Sequence, residues 1–309
     1  MNKENPLLVV LGPTASGKTR LAARLAAVLG GEILSADSRQ LFKGMDIGTG
    51  KDLKEYTVAG KVVPYHLIDI REAGQRYNVH EFKEDFYRVY AEIRARGALP
   101  VLCGGTGMYI HSILQRHELT AVPVDEELRQ ELSGEDIEAL RGRLAVYPEI
   151  WRAHADLSSH KRLVRAVEVA EYLRLHGLAP AERPIFAPYV VGLRSEVTFR
   201  RARILERLEK RLEEGLIEEV QGLLDSGVPR EALEFYGLEY KYVTAYLFGE
   251  LDDARLLTQL GTAICQFAKR QMTFFRKMEK DGVKIRWFDT EDGHEGIFEK
   301  VMAALACDL

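Results

Sequence analysis

The chain has 309 residues, of which 46% are hydrophobic and 29% are charged, a balance typical of a folded protein large enough for two domains. Its formal net charge of -4 excludes a protein that coats nucleic acid through bulk positive charge, although a local basic face is still compatible with it. No apolar stretch approaches the roughly 20 residues of a membrane span. The three cysteines form no CxxC pair, so we expect reduced thiols, a cytoplasmic location and no membrane contact.

The first third of the chain alternates short apolar runs with amphipathic segments. Four runs predict buried strands, namely Leu7–Leu11, Glu32–Ala36, Val62–Ile70 and Leu99–Cys103. Helices are predicted at Thr19–Leu29 and between Asn78, which opens a capping box, and Gly97. Strands that alternate with helices in this way are typical of a doubly wound parallel sheet, in which ligands bind at the carboxyl ends of the strands.

The segment between the first strand and the first helix fits the phosphate-binding consensus GxxxxGK(S/T) at every fixed position. It consists of Gly12, Pro13, Thr14, Ala15, Ser16, Gly17, Lys18 and Thr19. The backbone N–H groups of such a P-loop and the start of the following helix form a cradle for anions, so we expect the loop to hold a polyphosphate. Lys18 adds a positive charge, and the Thr19 hydroxyl is a candidate ligand of Mg²⁺.

A P-loop alone does not reveal what happens to the phosphates. Kinases and NTPases usually add an aspartate at a strand end as a Mg²⁺ ligand. Asp37 and Asp69 both suit that role by position, and both also suit an ordinary turn or helix cap.

The pattern changes after Pro123, where helical periodicity replaces strands until about Pro188. A strand is then predicted at Tyr189–Leu193. The remainder is predicted to be mostly helical, with helices at Val197–Leu224, Leu238–Leu247 and Asp252–Lys280, a strand at Lys284–Phe288 and a closing helix. We therefore predict an α/β fold: a P-loop doubly wound parallel sheet formed by residues 1–120 and 189–309, with an all-helical insertion at residues 121–188 and a helical C-terminal part.

Several longer motifs together resemble the tRNA dimethylallyltransferase (tRNA isopentenyltransferase) family. They are GPTASGKT at 12–19, SADSRQLFKGMDIGTGK at 35–51, LCGGTGMYI at 102–110, Arg203-Ile204 with Arg207, GLIEEV at 215–220, YLFGE at 246–250 and AKRQMTFFR at 268–276. The resemblance extends over almost the whole chain, and this combination of motifs is far more specific than the P-loop.

The resemblance implies transfer of a dimethylallyl group from dimethylallyl diphosphate to N6 of the adenosine just 3′ of a tRNA anticodon. The leaving diphosphate then requires positive charge, which the P-loop, Mg²⁺ at Thr19, and Arg203 with Arg207 would provide. The amine must lose a proton, and Asp37 is the candidate general base, with Thr106 positioning Asp37 or the amine. The target base has to leave its stack to reach the site.

The same resemblance assigns residues to RNA binding and implies a monomer that binds the anticodon stem-loop. In the core these residues are Asp37, Ser38, Arg39, Gln40 and Thr106. In the helical insertion they are Arg129, at another RNA-contacting position of the family, and Lys161, Arg162 and Arg165, which would contact backbone phosphates. A helix with a basic solvent-exposed face is the simpler interpretation of the last three, and the alignment at Arg129 is shifted by one residue.

Three positions depart from the family pattern. Glu239 stands where glycine is usual, Cys265 replaces an arginine, and Ser159–Arg162 differs from the usual Asp-x-Gln-Arg. These departures lie on the RNA side and fit a divergent second copy of the enzyme with altered tRNA preference.

Three other functions are compatible with parts of the sequence: an isopentenyltransferase acting on free adenine nucleotide, a P-loop small-molecule kinase, and an RNA-binding protein with a decayed active site. The intact Lys18 and Asp37 argue against the last.

Overall fold

The computed structural model describes residues 4–152, 155–177 and 181–308, and in these residues six parallel strands form the central sheet. Their order across the sheet is β5-β2-β6-β1-β7-β8. The strands are β1 (Leu8–Leu11), β2 (Gly31–Ser35), β5 (Tyr65–His66), β6 (Leu99–Gly104), β7 (Tyr189–Arg194) and β8 (Ile285–Asp289). A separate antiparallel pair is formed by β3 (Thr57–Val58) and β4 (Lys61–Val62). The predicted parallel α/β sheet is thereby confirmed.

Helices cover both faces of this sheet. Those of the core are α1 (Lys18–Leu29), α2 (Val79–Ala95), α3 (Gly107–Leu114), α8 (Val197–Glu213), α9 (Leu216–Asp225), α10 (Arg230–Tyr236), α11 (Leu238–Leu247), α12 (Asp253–Lys280) and α13 (Gly293–Asp308). Strand β1 is buried along its whole length, and its side chains alternate between two hydrophobic clusters. Leu8 and Val10 pack with residues of α1 and α13, whereas Val9 and Leu11 pack with residues of α2 and α12. This arrangement is why the strand reads as one continuous apolar run.

Two predicted elements were wrong in extent. The strand predicted at Val62–Ile70 is reduced to the two residues of β5, because Leu67 and Asp69 have positive φ angles of 63° and 55°, which turn the chain away from the sheet. The single helix predicted at Val197–Leu224 is two helices, α8 and α9. They are separated at Gly215, whose φ of 103° no right-handed helix contains.

A second compact unit comprises Arg116–Arg183, while the rest of the described chain forms the first. Its helices are α4 (Glu126–Leu132), α5 (Ile137–Ala145), α6 (Glu149–Arg152) and α7 (His160–His176). Its own hydrophobic cluster joins α5 and α7 through Leu140, Leu144, Leu163 and Val167. Within the described parts of the chain, each helix is too short or too polar to cross a membrane.

Candidate active site

The P-loop follows β1 directly and ends in the first turn of α1. Gly17, immediately before that helix, has a φ of 81°, and Ala15 has a φ of 61°. A Cβ atom on Gly12 would lie 2.7 Å from the Oγ of Ser16, so only glycine fits there. The loop is therefore wound tightly over the helix N-terminus, where backbone N–H groups and the helix dipole favour an anion.

A cavity of about 440 Å³ lies over this loop. Residues Thr14–Thr19 line it, and so do Asp37, Thr106, Arg203 and Arg207. The predicted catalytic and diphosphate-binding residues are thus brought to one place by four separate segments of the chain. Gly12 and Pro13 are buried behind the loop and do not line the cavity.

Asp37 and Ser38 follow β2 and are fixed by the neighbouring loop after β6. The backbone N–H of Thr106 donates to the carbonyl of Ala36 at 3.1 Å. The backbone N–H of Ser38 donates to the Thr106 hydroxyl at 3.0 Å. One carboxylate oxygen of Asp37 accepts the backbone N–H of Arg39 at 3.1 Å. Thr106 therefore positions the turn that carries Asp37.

The charges at the base of the cavity influence one another. Burial lowers the pKa of Lys18, and the Asp37 carboxylate acts in the opposite direction. Burial also raises the pKa of the neighbouring Cys103 thiol to about 12. A lysine beside an aspartate, next to exposed loop amides, combines an anion-binding group with a proton acceptor in one cavity.

Helix α8 supplies the other wall of the cavity with basic residues one turn apart. Arg203, Arg207 and Arg211 are spaced by four residues and all line the cavity. Arg207 donates to Asp52 at 2.8 Å, and Arg211 pairs with Glu239 at 3.4 Å. The helix therefore presents a row of guanidinium groups along one side of the site.

Gln271 belongs to the motif AKRQMTFFR, which does not by itself predict a role for it. It lies on α12, where its side-chain oxygen accepts the backbone N–H of Thr14 at 2.9 Å, and its amide nitrogen donates to the carbonyl of Gly105 at 2.9 Å. Gln271 thus joins the P-loop to the loop that carries Thr106. The motif AKRQMTFFR was the signal that marked it.

His294 is a second residue that sequence reasoning missed, because no local pattern distinguishes it. It lines the cavity from the start of α13 and lies against the P-loop: a Cβ atom on Gly17 would be 3.0 Å from its Cε1 and 4.0 Å from the Nη2 of Arg203. Partial burial, followed by the positive charges of Arg20 and Arg203, lowers its pKa.

The loop of residues 44–51 is held in place by Glu219 of α9. The Glu219 carboxylate accepts the backbone N–H groups of Asp46, Ile47 and Gly48 at 2.8, 2.7 and 3.0 Å. It also accepts the hydroxyl of Tyr240 at 2.7 Å. The motif at residues 35–51 and the motif GLIEEV at residues 215–220 are distant in sequence, and these contacts bind one to the other.

Asp69, one of the two aspartates that suited Mg²⁺ by position, lies elsewhere. Its carboxylate accepts a hydrogen bond from the ammonium group of Lys51, which is buried and also donates to Asp46 and to the carbonyl of Phe42. Asp69 does not line the cavity, whereas Asp37 does. Asp69 therefore closes a loop and is not the metal-binding candidate.

The core residues predicted to bind RNA all line the cavity. They differ in how far their side chains are already engaged by other groups of the protein. Gln40 is buried, and its side chain bonds to the hydroxyl of Ser35 and the carbonyl of Gly50, which commits it to holding the loops. Arg39 pairs with Glu239 at 3.4 Å and lies 4.6 Å from the ring centre of Phe267. Phe267 also lines the cavity, so Arg39 is stacked at its edge.

In the helical unit, three of the four predicted RNA-binding residues have partners within the described part of the chain. Arg129 makes a two-pronged pair with the buried carboxylate of Glu168 at 2.9 and 3.1 Å. Arg165 also donates to Glu168, and to the carbonyl of Val122 at 2.7 Å. Lys161 and Arg162 are exposed on the first turn of α7, where Arg162 also donates to Asp156 at 2.7 Å and to Ser158 at 2.8 Å.

The sheet and the cavity together define a P-loop α/β protein whose phosphate-binding loop opens into a cavity beside an aspartate. A family model described as IPP transferase matches residues 40–278, most of the chain. The chain therefore belongs to the IPP transferase family.

Relatives agree with that membership. The chain is 51% identical over 283 residues to tRNA dimethylallyltransferase 1 of Porphyromonas gingivalis, covering 92% of this chain and 93% of that one. It is 48% identical to tRNA dimethylallyltransferase 1 of Parabacteroides distasonis, with 93% of each chain covered. A solved tRNA isopentenylpyrophosphate transferase of Bacillus halodurans superposes with a TM-score of 0.71 at 31% identity, over 98% of this chain and 96% of that one. A eukaryotic dimethylallyltransferase acting on tRNA shares the fold, with a TM-score of 0.78 at 20% identity, over 98% of this chain and 79% of that one.

Proposed function

We propose that the protein transfers a dimethylallyl group from dimethylallyl diphosphate to N6 of the adenosine 3′-adjacent to the anticodon in tRNA, releasing diphosphate. The observation that carries the proposal is the convergence of the P-loop, Asp37, Thr106 and Arg203 on one cavity. The chain that forms this cavity is 51% identical to a tRNA dimethylallyltransferase.

The residues around the cavity suit the departure of a diphosphate. As the allylic carbon–oxygen bond breaks, its electron pair stays on the bridging oxygen, so negative charge grows on the leaving group. The P-loop amides, Lys18, Arg203 and Arg207 stabilise this charge from fixed positions. Since these groups are already oriented by the loop and by α8, little reorganisation is needed during the reaction.

Asp37 serves as the base for the acceptor. The N6 nitrogen forms its bond to the allylic carbon and gives up one proton, which the Asp37 carboxylate accepts. Thr106 is a positioning residue, because it holds the Ser38 backbone and hence the turn that carries Asp37. Leu238, Ile264 and Phe267 give the same cavity an apolar section suited to the five-carbon group or to a base withdrawn from its stack.

Thr19 fits a Mg²⁺ ion that arrives with the diphosphate, because its hydroxyl is a hard oxygen donor at the cavity beside the phosphate-binding loop. When bound, the ion would neutralise part of the charge of the diphosphate. Among the described residues no cluster of three or more His, Cys, Asp or Glu side chains could hold a metal, so most ligands would come from the substrate and water.

We further propose that residues 121–188 bind the anticodon stem while residues 1–120 and 189–309 catalyse the transfer, in a cytoplasmic monomer. Lys161 and Arg162 are assigned to backbone phosphates because they are exposed. Arg129 and Arg165 are assigned to positioning, since both donate to Glu168. Asp37, Ser38, Arg39, Gln40 and Thr106 would surround the target nucleotide.

A single assay tests the proposal and its alternatives. The protein is incubated with radiolabelled dimethylallyl diphosphate, Mg²⁺, AMP, ATP and unmodified tRNA that carries adenosine 3′ of the anticodon. A matched tRNA with guanosine at that position is the control. Label on the first tRNA only is expected. Label on AMP instead would indicate a free-nucleotide transferase, and consumption of ATP with a phosphorylated acceptor would indicate a kinase.

A further inference from the structure

Two arginines of α8 converge on Gly50. Gly50 has a φ of 62°, and a Cβ atom built on it would lie 1.6 Å from the Nη2 of Arg211 and 2.2 Å from the Nη2 of Arg207. Both guanidinium nitrogens therefore occupy the small space beside the glycine backbone. Two like charges repel each other at such an approach, so the arrangement needs a compensating negative charge.

The carboxylates of the protein supply only part of that charge. Asp52 accepts from Arg207 at 2.8 Å, and the buried Glu239 pairs with both Arg211 and Arg39, each at 3.4 Å. Two carboxylates thus face three guanidinium groups. This network retains an excess positive charge inside the cavity.

Arg211 is the member of the network that is least satisfied. Its side chain is only 9% exposed and lines the cavity, yet its Nη2 atom has no hydrogen-bond partner among the described residues. Burial, together with the charge of Arg207, lowers its pKa to about 10. A buried charged donor without an acceptor is costly, and most such donors in native structures have a partner.

The position of this nitrogen separates it from the P-loop. Arg203 lies at the Gly17 end, while Arg207 and Arg211 follow one and two turns further along α8, so the row of arginines advances by about 6 Å per step. The diphosphate cradle at Gly17 and the paired nitrogens at Gly50 are thus two places for anionic oxygens in one cavity.

We infer that Arg211, with Arg207 beside Gly50, forms a second phosphate-binding subsite. Its ligand is a substrate phosphate whose oxygens bridge the two Nη2 atoms. Two sources supply this chemistry: the diphosphate of the prenyl donor, or a backbone phosphate of the RNA next to the target nucleotide. The inference rests on the proposed function, because the substrates of that reaction supply both of these phosphates.

Two ligands distinguish the sources. Calorimetry measures the Kd of inorganic diphosphate with Mg²⁺, and fluorescence anisotropy measures the Kd of an anticodon stem-loop RNA. Arg211→Met removes the guanidinium. Arg201→Met is the matched control, because Arg201 is exposed on the same helix and does not line the cavity. Glu239→Gln removes the competing carboxylate and has the opposite expected effect.

For Arg211→Met we expect the Kd of one ligand to rise roughly tenfold to a hundredfold, as for a lost hydrogen bond to a charged group. For Glu239→Gln the Kd of the same ligand should fall, a gain that a purely structural role for Arg211 would not produce. Weaker diphosphate binding identifies the donor as the source, and weaker RNA binding identifies the RNA. Arg201→Met should change neither.

Unchanged affinities for both ligands, within about twofold, would overturn the inference. If Arg211→Met does not fold, the double variant Arg211→Met with Glu239→Gln decides, since it removes both charges of the pair. Calorimetry with inorganic diphosphate needs no turnover. If the wild-type protein fails to prenylate tRNA, the proposed function is refuted, but the binding measurement with diphosphate can still be made and interpreted.

Discussion

Glu219→Gln is the substitution whose effect on stability follows most directly from the contacts. One carboxylate oxygen accepts the N–H groups of Asp46 and Ile47, and the other accepts the N–H of Gly48 and the Tyr240 hydroxyl. Glutamine keeps one oxygen and replaces the other with an NH₂ group. In one orientation of the amide two backbone N–H groups face the NH₂ group, and in the other only the Gly48 N–H does, because the Tyr240 hydroxyl can rotate to accept.

The expected decrease in the free energy of unfolding follows from the free energy of leaving a buried donor without an acceptor. An unsatisfied donor costs about 1–3 kcal/mol when buried, and water reaches part of this loop, so a loss of about 1–2 kcal/mol is expected for the better orientation. The loop carries Gly48 and Gly50 into the cavity. The substitution should therefore also raise the KM for the prenyl donor or the RNA.

Urea unfolding followed by circular dichroism measures the first effect, and steady-state prenyl transfer measures the second. Glu218→Gln is the matched control, because Glu218 is its exposed neighbour on α9 and loses the same charge. Equal unfolding free energies for the two variants would refute the role given to the Glu219 carboxylate.

Three further predictions concern other groups. Asp37→Asn should lower the rate of prenyl transfer roughly 10²–10⁴-fold with diphosphate affinity little changed; near-normal kcat would exclude Asp37 as the base. Hydrogen bonds from Arg174 and then Tyr147 hold the pKa of Glu171 near 2, below its ordinary 4.5, so the stability they add is present above pH 4.5 and is lost as the pH falls towards 2. Urea midpoints across that range should decline less steeply for Glu171→Gln, and an unchanged slope would contradict the assignment. Iodoacetamide should label the exposed Cys307 of the native protein and spare Cys103, because burial raises the pKa of Cys103 to about 12; peptide mass spectrometry showing equal labelling would be the contrary result.

The sequence predicted the P-loop and the strands around it because their signals are local. An apolar run followed by glycines and a helix contains everything needed to place Lys18 and Thr19. The family resemblance then added Asp37, Thr106 and Arg203, which the structure brings to the same cavity.

Local sequence patterns could not predict the contacts between segments that are distant in the chain. Nothing near His294 or Glu219 in the sequence indicates that one lies against the P-loop and the other binds the loop of residues 44–51. The periodicity of α8 continues through α9, so the break at Gly215 depends on a backbone conformation that hydrophobic spacing does not record. The predicted strand at Val62–Ile70 failed for the same reason, at Leu67 and Asp69.

The structure also gives a physical setting to the departures from the family pattern. Glu239 is buried and pairs with Arg39 and Arg211 at the cavity, so the residue that replaces glycine is part of the charge network beside the proposed second phosphate subsite. Cys265 is half-buried on α12. Ser159 stands at the N-terminus of α7 without a capping hydrogen bond from its side chain.

The most direct test of the central claim is the identity of the phosphorus product released in the presence of tRNA. With dimethylallyl diphosphate, Mg²⁺ and unmodified tRNA, ³¹P NMR should show inorganic diphosphate appearing in step with prenylated adenosine in the digested tRNA. That outcome means that diphosphate is the leaving group and that the carbon–oxygen bond breaks. Absence of prenylated adenosine, or release of orthophosphate instead of diphosphate from the prenyl donor, would contradict the account.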